Sequence, residues 1–229
     1  MKKSAPLILF TLLLPLAACK SRLQPAPRAN ATQPRAAAFT PPRPIAPQIF
    51  DYFLLNLSWS PEFCYSHRSA PECAQHSGFV LHGLWPEDSD GTYPENSSNA
   101  PGPANPSQYS DLYPDPTLLE HEWHTHGTCS GLSPDGFFTA ARAAFHSIVI
   151  PSQLTHLDHP ISLPPIQILN LFADSNPSVV TFDLALSCGH NYLTAVEVCL
   201  DKSFHPTACG TLHSCRANTV RISPPGSTQ

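Results

Sequence analysis

From Tyr52 onward the apolar positions fall into short blocks of two kinds. Tyr52 to Trp59, Phe79 to Trp85, Val179 to Ser187, Tyr192 to Leu200 and Thr219 to Ile222 alternate or run continuously apolar, which predicts strands. Three other stretches carry helical signals. Pro116 to His126 is entered through Asp115 and Pro116 and stopped by Gly127. Pro134 to Ile148 sets Phe137, Ala141, Ala144, Phe145 and Ile148 on one side, and Pro165 to Ala173 makes a third helix. Strands and helices lie in separate blocks, so the pattern predicts an α+β domain, a central antiparallel sheet with flanking helices, over a doubly wound fold. The proline-rich stretch from Gly91 to Pro116 is predicted as a long ordered loop near the site.

The first fifty residues obey different rules. Met1 to Ala18 opens with Lys2 and Lys3, runs apolar from Leu7 to Leu14 and ends in Ala17-Ala18, the form of an export signal too short to span a membrane. Leu16-Ala17-Ala18-Cys19 resembles the bacterial lipoprotein box, which implies lipidation of Cys19 and anchoring in a membrane. Lys20 after it implies the outer membrane, with the protein facing the periplasm or the cell exterior. Residues 19–50 are rich in Pro and Ala, carry five basic side chains and show no apolar period, so they read as a semi-extended tether. The expected organisation is signal peptide 1–18, lipidated cysteine and tether 19–50, and one domain over 51–229.

Charge separates these parts. All 17 acids lie at or after Asp51, against five bases there (Arg68, Arg142, Lys202, Arg216 and Arg221), a net of −12 that the whole-chain value of −5 conceals. A broad basic footprint for a long polyanion is therefore excluded. All 12 histidines also lie in this part, and near pH 5 they bring it close to neutrality. Any nucleic-acid activity is expected to peak below pH 7.

Eight cysteines in an exported chain read as a disulfide framework. With Cys19 set aside, seven remain and one stays unpaired. Cys64 and Cys73 are close in sequence, and Cys188, Cys199, Cys209 and Cys215 cluster in the last third. Cys129 stands apart as the odd thiol.

Two segments concentrate unusual chemistry: Phe79-Val80-Leu81-His82-Gly83-Leu84-Trp85-Pro86-Glu87 and His121-Glu122-Trp123-His124-Thr125-His126-Gly127-Thr128-Cys129. Together they resemble the two active-site segments of the ribonuclease T2 family, the secreted base-nonspecific acid ribonucleases, and the likeness extends from about Tyr52 to Ile222. It implies metal-independent cleavage of single-stranded RNA through a 2′,3′-cyclic phosphate, with no cofactor. In that chemistry the ribose 2′-hydroxyl is the nucleophile, so a protein must take its proton, protonate the departing 5′-oxygen and stabilise charge on phosphorus. By the resemblance His126 is the general base and His82 the general acid, His121 holds the phosphate and Glu122 helps stabilise the pentacoordinate state. Trp85, Glu87 and Tyr93 are implied to receive the base. The resemblance further implies the disulfides Cys64–Cys73, Cys188–Cys215 and Cys199–Cys209, and a monomer. His124 and the remaining histidines are read as solvated or packed side chains.

The chain departs from the family pattern at two points. Many relatives have Lys where Thr125 stands, so weaker stabilisation of phosphoryl charge is expected. Relatives also commonly bridge the cysteine of the second segment to one between the segments, yet no cysteine lies between Glu87 and Thr128, leaving Cys129 free and buried by expectation. Two rivals arise from the same residues. A zinc hydrolase would need H-E-x-x-H, but residue 125 is Thr and His126 is five positions from His121, about 140° around a helix. A surface RNA-binding lipoprotein that has lost turnover is the other, motivated by Thr125 and the acidic surface.

Overall fold

The computed structural model describes residues 49–75 and 78–226. The export signal, Cys19 and the tether up to Gln48 lie outside the described residues.

Six strands form one sheet: β1 (Tyr52–Trp59), β2 (Phe79–Glu87), β3 (Ile161–Leu163), β4 (Leu184–Gly189), β5 (Tyr192–Leu200) and β6 (Val220–Ile222). Their order is β2-β1-β5-β6-β3, with β4 also paired to β5. Pairings are antiparallel except a single parallel pair, Tyr192 with Arg221, that joins β5 to β6. The helices are α1 (Ser60–Ser66), α2 (Pro116–Thr125), α3 (Pro134–Ser147), α4 (Ser152–Thr155) and α5 (Pro165–Ser175). The fold is α+β, as the blockwise pattern implies. The structure adds α1, α4 and β3, each too short to generate a period of its own. It also converts the first part of the expected 179–187 strand into a 3₁₀ turn, Thr181–Asp183, because Asp183 folds back to accept from the Val180 N–H at 2.9 Å.

Strand β1 is buried on both faces, which is why it reads as an apolar run. Phe53, Leu55, Leu57 and Trp59 enter the main core with Phe137, Phe138, Ile168 and Phe172 of α3 and α5. On the other face Tyr52 and Leu54 pack with Cys199 and Cys209, while Asn56 and Ser58 stay polar. Leu55 and Leu57 are fully enclosed, so truncating either to Ala costs about 2–5 kcal/mol. Disulfides close Cys64–Cys73, Cys188–Cys215 and Cys199–Cys209. Cys129 is free and fully buried, its sulfur against the Ser97 hydroxyl.

The segment between β2 and α2 is irregular apart from one 3₁₀ turn, Pro106–Tyr109, and is tied along α2 and the turn after it. The Asn96 N–H donates to Thr125 O at 2.9 Å, the Ser97 N–H to Thr128 Oγ1 at 3.1 Å and Trp123 Nε1 to Ala100 O at 2.8 Å. These bonds satisfy backbone groups that no strand or helix would.

Candidate active site

His82 owes its position to a defect in the sheet. In the β1–β2 ladder Asn56 faces Gly83 and Leu57 faces Leu81, leaving His82 as the extra residue of a bulge. Bulges re-aim a side chain that regular alternation would direct elsewhere. Ser58, on the polar face of β1, lies 3.2 Å from His82 Nδ1 and fixes the ring from behind. Nothing in the sequence marked Ser58 beyond its place on the alternating polar face.

Gly83 leaves room for a close approach of two side chains. A Cβ at this position would lie 2.0 Å from Glu122 Oε2 and 2.2 Å from Trp85 Nε1. Only hydrogen here lets the Trp85 indole donate to Glu122 Oε2, at 2.8 Å. Trp85 also stacks on His126, ring centroids 5.0 Å apart at 24°, and meets His82 edge-on at 5.2 Å.

The second segment arrives on α2, capped at its start by Asp115, which accepts from the Thr117 N–H. Glu122 is fully enclosed, and His121 lies on the exposed side. His126 leaves the helix as its C-cap, with φ −112° and ψ −45°, and Gly127 comes next where a Cβ would strike the Trp123 ring at 2.3 Å. His121 and His126 nonetheless meet, their ring centroids 6.3 Å apart, although a helical wheel sets the two positions about 140° apart. One donor atom from each of His121, Glu122 and His126 lies within 4.8 Å of the others, a set that could also hold a cation. Thr125 Oγ1 is 3.4 Å from His121 Nδ1. His124 is 42% exposed and faces Glu120, with 3.8 Å between its Nε2 and the carboxylate.

Burial sets the electrostatics. It pushes the Glu122 carboxyl up to about 8, against a smaller lowering by the Trp85 bond. It pulls His126 down to about 4, with the charges of His121 and His82 adding to the effect. His82 is also held below the ordinary imidazole value, by burial first and His121 second. His82 Nε2 lies 3.8 Å from Glu122 Oε1. Two buried polar atoms in this cluster, Glu122 Oε1 and His126 Nδ1, have no hydrogen-bond partner among the described residues. Unpaired buried groups of this kind are rare in folded proteins.

The expected base-binding residues divide. Trp85 is part of the cluster. Glu87 is half-buried two residues further along β2, on the same strand face, with its carboxyl pushed up to about 7 by burial and by the charges of Glu197 and Asp88. Tyr93 is 55% exposed in the following loop.

Fold and site together define a disulfide-closed α+β domain that sets two imidazoles and one enclosed carboxyl against an indole on the edge strand of its sheet, with His121 beside His126. Residues 50–209 match the Ribonuclease T2 family, and the chain belongs to it. A ribonuclease of Aeromonas hydrophila is 45% identical over 94 residues, 40% of this chain and 43% of that protein. The chain spans under half the length of the curated relatives it matches first. Among solved structures, trichomaglin, described as an S-like ribonuclease, aligns with a TM-score of 0.63 at 19% identity over 77% of this chain and 98% of that one. RNase NT in complex with 5′-AMP aligns with a TM-score of 0.58 at 20% identity over 78% and 99%. At such identities the likeness to these structures concerns the fold.

Proposed function

We propose that this chain is a metal-independent endoribonuclease that cleaves single-stranded RNA with little base specificity, through a 2′,3′-cyclic phosphate to 3′-phosphate ends. The observation that carries the proposal is the meeting of His82 and His126, from distant segments, against one indole and beside an enclosed carboxyl.

Each group suits one step. His126, neutral down to about pH 4, takes the proton of the ribose 2′-hydroxyl as that oxygen attacks phosphorus. His82, held below the ordinary imidazole value, is when protonated the stronger acid for it, and gives its proton to the departing 5′-oxygen. Glu122 stays protonated up to about pH 8. Its Oε2 accepts from Trp85, so Oε1 is the oxygen left to donate to a non-bridging phosphoryl oxygen, where charge develops. His121, on the exposed side, is placed to meet the phosphate from solvent. In the second half the roles exchange: water loses its proton to His82, and His126 returns a proton to the 2′-oxygen.

The decisive experiment is digestion of total RNA at pH 5 by the wild-type chain, His82→Ala and His126→Ala, with product ends analysed. Cyclic phosphate followed by 3′-phosphate from the wild type, and a loss of about 10²- to 10⁴-fold in each variant, are expected. DNA lacks the nucleophilic hydroxyl and stays intact. RNA bound without turnover supports the non-catalytic lipoprotein instead, and activity abolished by excess EDTA supports a metal-dependent reaction. Among the described residues no helix is long and apolar enough to cross a membrane. Membrane attachment is proposed to rest on lipidated Cys19, tested by labelling with palmitate in wild type and Cys19→Ser.

A further inference from the structure

The polar face of the sheet carries more than the acid–base cluster. Asn56 and Ser58 of β1 lie on it beside Glu197 of β5, which accepts from Asn56 Nδ2 at 3.3 Å. Arg221 belongs to the same face, because its neighbours Val220 and Ile222 on β6 are sunk in the main core with Leu55 and Leu57, and successive strand residues point to opposite sides. None of the acid–base steps above uses it.

Strand register fixes where Arg221 stands. Trp85, stacked on His126, lies opposite Leu54, and His82 meets Ser58 further along β1. Ser58 in turn lies opposite Ala195 on β5, and Tyr192, beyond it in the same direction, is opposite Arg221. Trp85 with His126, then His82, then Arg221 therefore follow one another along the sheet, the last about 10 Å past Ser58.

Its side chain is prepared for an anion. The guanidinium is held over the Tyr192 ring, 5.5 Å from the centroid. Its backbone is fixed on both edges, the N–H donating to Asn191 O at 2.7 Å on one side and Ser162 of β3 pairing on the other. In a domain with 17 acids Arg221 meets no carboxylate among the described residues, unlike Arg142, which pairs with Asp111. A guanidinium stacked on a ring keeps its N–H fork available for a phosphate.

Resting on the ribonuclease reading, we propose that Arg221, on its Tyr192 platform, is an outer phosphate subsite that holds the RNA strand beyond the leaving nucleotide, on the 3′ side of the cleaved bond. His82 is assigned to the departing 5′-oxygen, so the 3′ part of the strand leaves on its side, and Arg221 lies further out in that direction. A point contact suits a domain whose net charge denies it a broad basic footprint. One guanidinium on a phosphate reads no base, so the contact favours longer substrates and adds no sequence preference.

The test uses deoxynucleotide chains that contain a single ribonucleotide, so that only one bond can be cleaved. One series lengthens the 3′ side from one nucleotide to four, and a second lengthens the 5′ side by the same steps. For the wild type kcat/KM is expected to rise about fivefold along the 3′ series, the scale of one exposed ion pair. In Arg221→Gln that rise disappears, the shortest substrate is cleaved as by the wild type, and the 5′ series is unchanged. The dependence of log KM on log salt for the longest 3′ substrate becomes shallower by about 0.7, one single-stranded phosphate. Tyr192→Leu, which keeps the charge and removes its platform, weakens the rise and leaves the shortest substrate alone. A wild type indifferent to 3′ length, a rise that survives Arg221→Gln, or an equal loss in both series overturns the proposal and leaves the ribonuclease reading intact. Absence of cleavage of every substrate and of total RNA by the wild type overturns both.

Discussion

Trp85 Nε1 donates to Glu122 Oε2 across 2.8 Å, directly over Gly83, while the same indole stacks on His126. One side chain thus fixes the enclosed acid and one imidazole together. The family resemblance gives Trp85 to the base, but the side of its ring against His126 is already occupied by protein, so positioning is a second duty.

Trp85→Phe separates the two duties, because it keeps an aromatic face and removes the donor. With Glu122 untethered, kcat is expected to fall by about 10- to 100-fold, the scale of a misplaced group of about 1 Å. KM for a 2′,3′-cyclic nucleotide changes little. A rise in KM at constant kcat would instead make base stacking the main role of Trp85.

The long strands and the three long helices are legible in the sequence from apolar period, and the identities of His82, His121, Glu122 and His126 from the two motifs. The geometry between them is not. His82 reaches the cleft through a bulge, and no alternation rule announces an extra residue at one rung of a ladder. His126 meets His121 with ring centroids 6.3 Å apart although a wheel sets their positions about 140° apart, because the wheel carries no information on how far each ring reaches. Ser58 and Glu197 are ordinary polar positions on strands until the pairing of β1 with β2 and β5 brings them to one face.

The pH profile depends on the two imidazoles. His126 must be neutral to accept a proton and is pulled down to about 4, so kcat/KM rises with pH near 4. In its proposed role His82 must be protonated and is held below 6.5, so activity falls again as pH rises, on a limb centred below 6.5. An optimum between these limits is expected in initial rates on a dinucleotide, the two limbs belonging to the coupled pair. A maximum above pH 7 would reject the assignment of roles.

Glu122 leaves a separate mark on stability. The folded chain holds its proton to about pH 8, whereas the unfolded chain releases it near 4.5, so the contribution is full below 4.5 and is lost as pH rises towards 8. His126 has the opposite sign, gaining stability as pH rises from about 4 to 6.5. Between pH 6.5 and 8 only the Glu122 loss remains of the two. Glu122→Gln, which keeps an acceptor for Trp85, is expected to lose ~2 kcal/mol less than wild type over that interval in urea unfolding. Parallel curves for the two proteins would show that the carboxyl is ionised throughout.

Gly83 tests the packing of the site without replacing a titratable side chain. In Gly83→Ala the added methyl meets both Glu122 Oε2 and Trp85 Nε1 well inside contact distance, so the hydrogen bond between them must open. About 1–3 kcal/mol of stability is expected to be lost, as for overpacking, together with about 10²-fold in kcat. Full activity with normal stability in this variant would mean that the bond is dispensable.

Thr125 is the departure with the larger expected effect on rate, and two opposed effects decide its replacement. Its backbone is held by the Asn96 N–H and the Cys129 sulfur, both on its carbonyl oxygen, so exchanging the side chain leaves the turn in place. Thr125→Lys removes a hydroxyl 3.4 Å from His121 Nδ1, a long contact at a half-buried site. It adds a cation where phosphoryl charge develops, and a charged donor there is worth more than a neutral one that barely reaches. The gain therefore outweighs the loss, and kcat on RNA at pH 5 is expected to rise by about tenfold. The same cation disfavours charge on the neighbouring imidazoles, so the optimum should move to lower pH. A lower kcat in Thr125→Lys, with the optimum unmoved, would place residue 125 outside the reach of the phosphate.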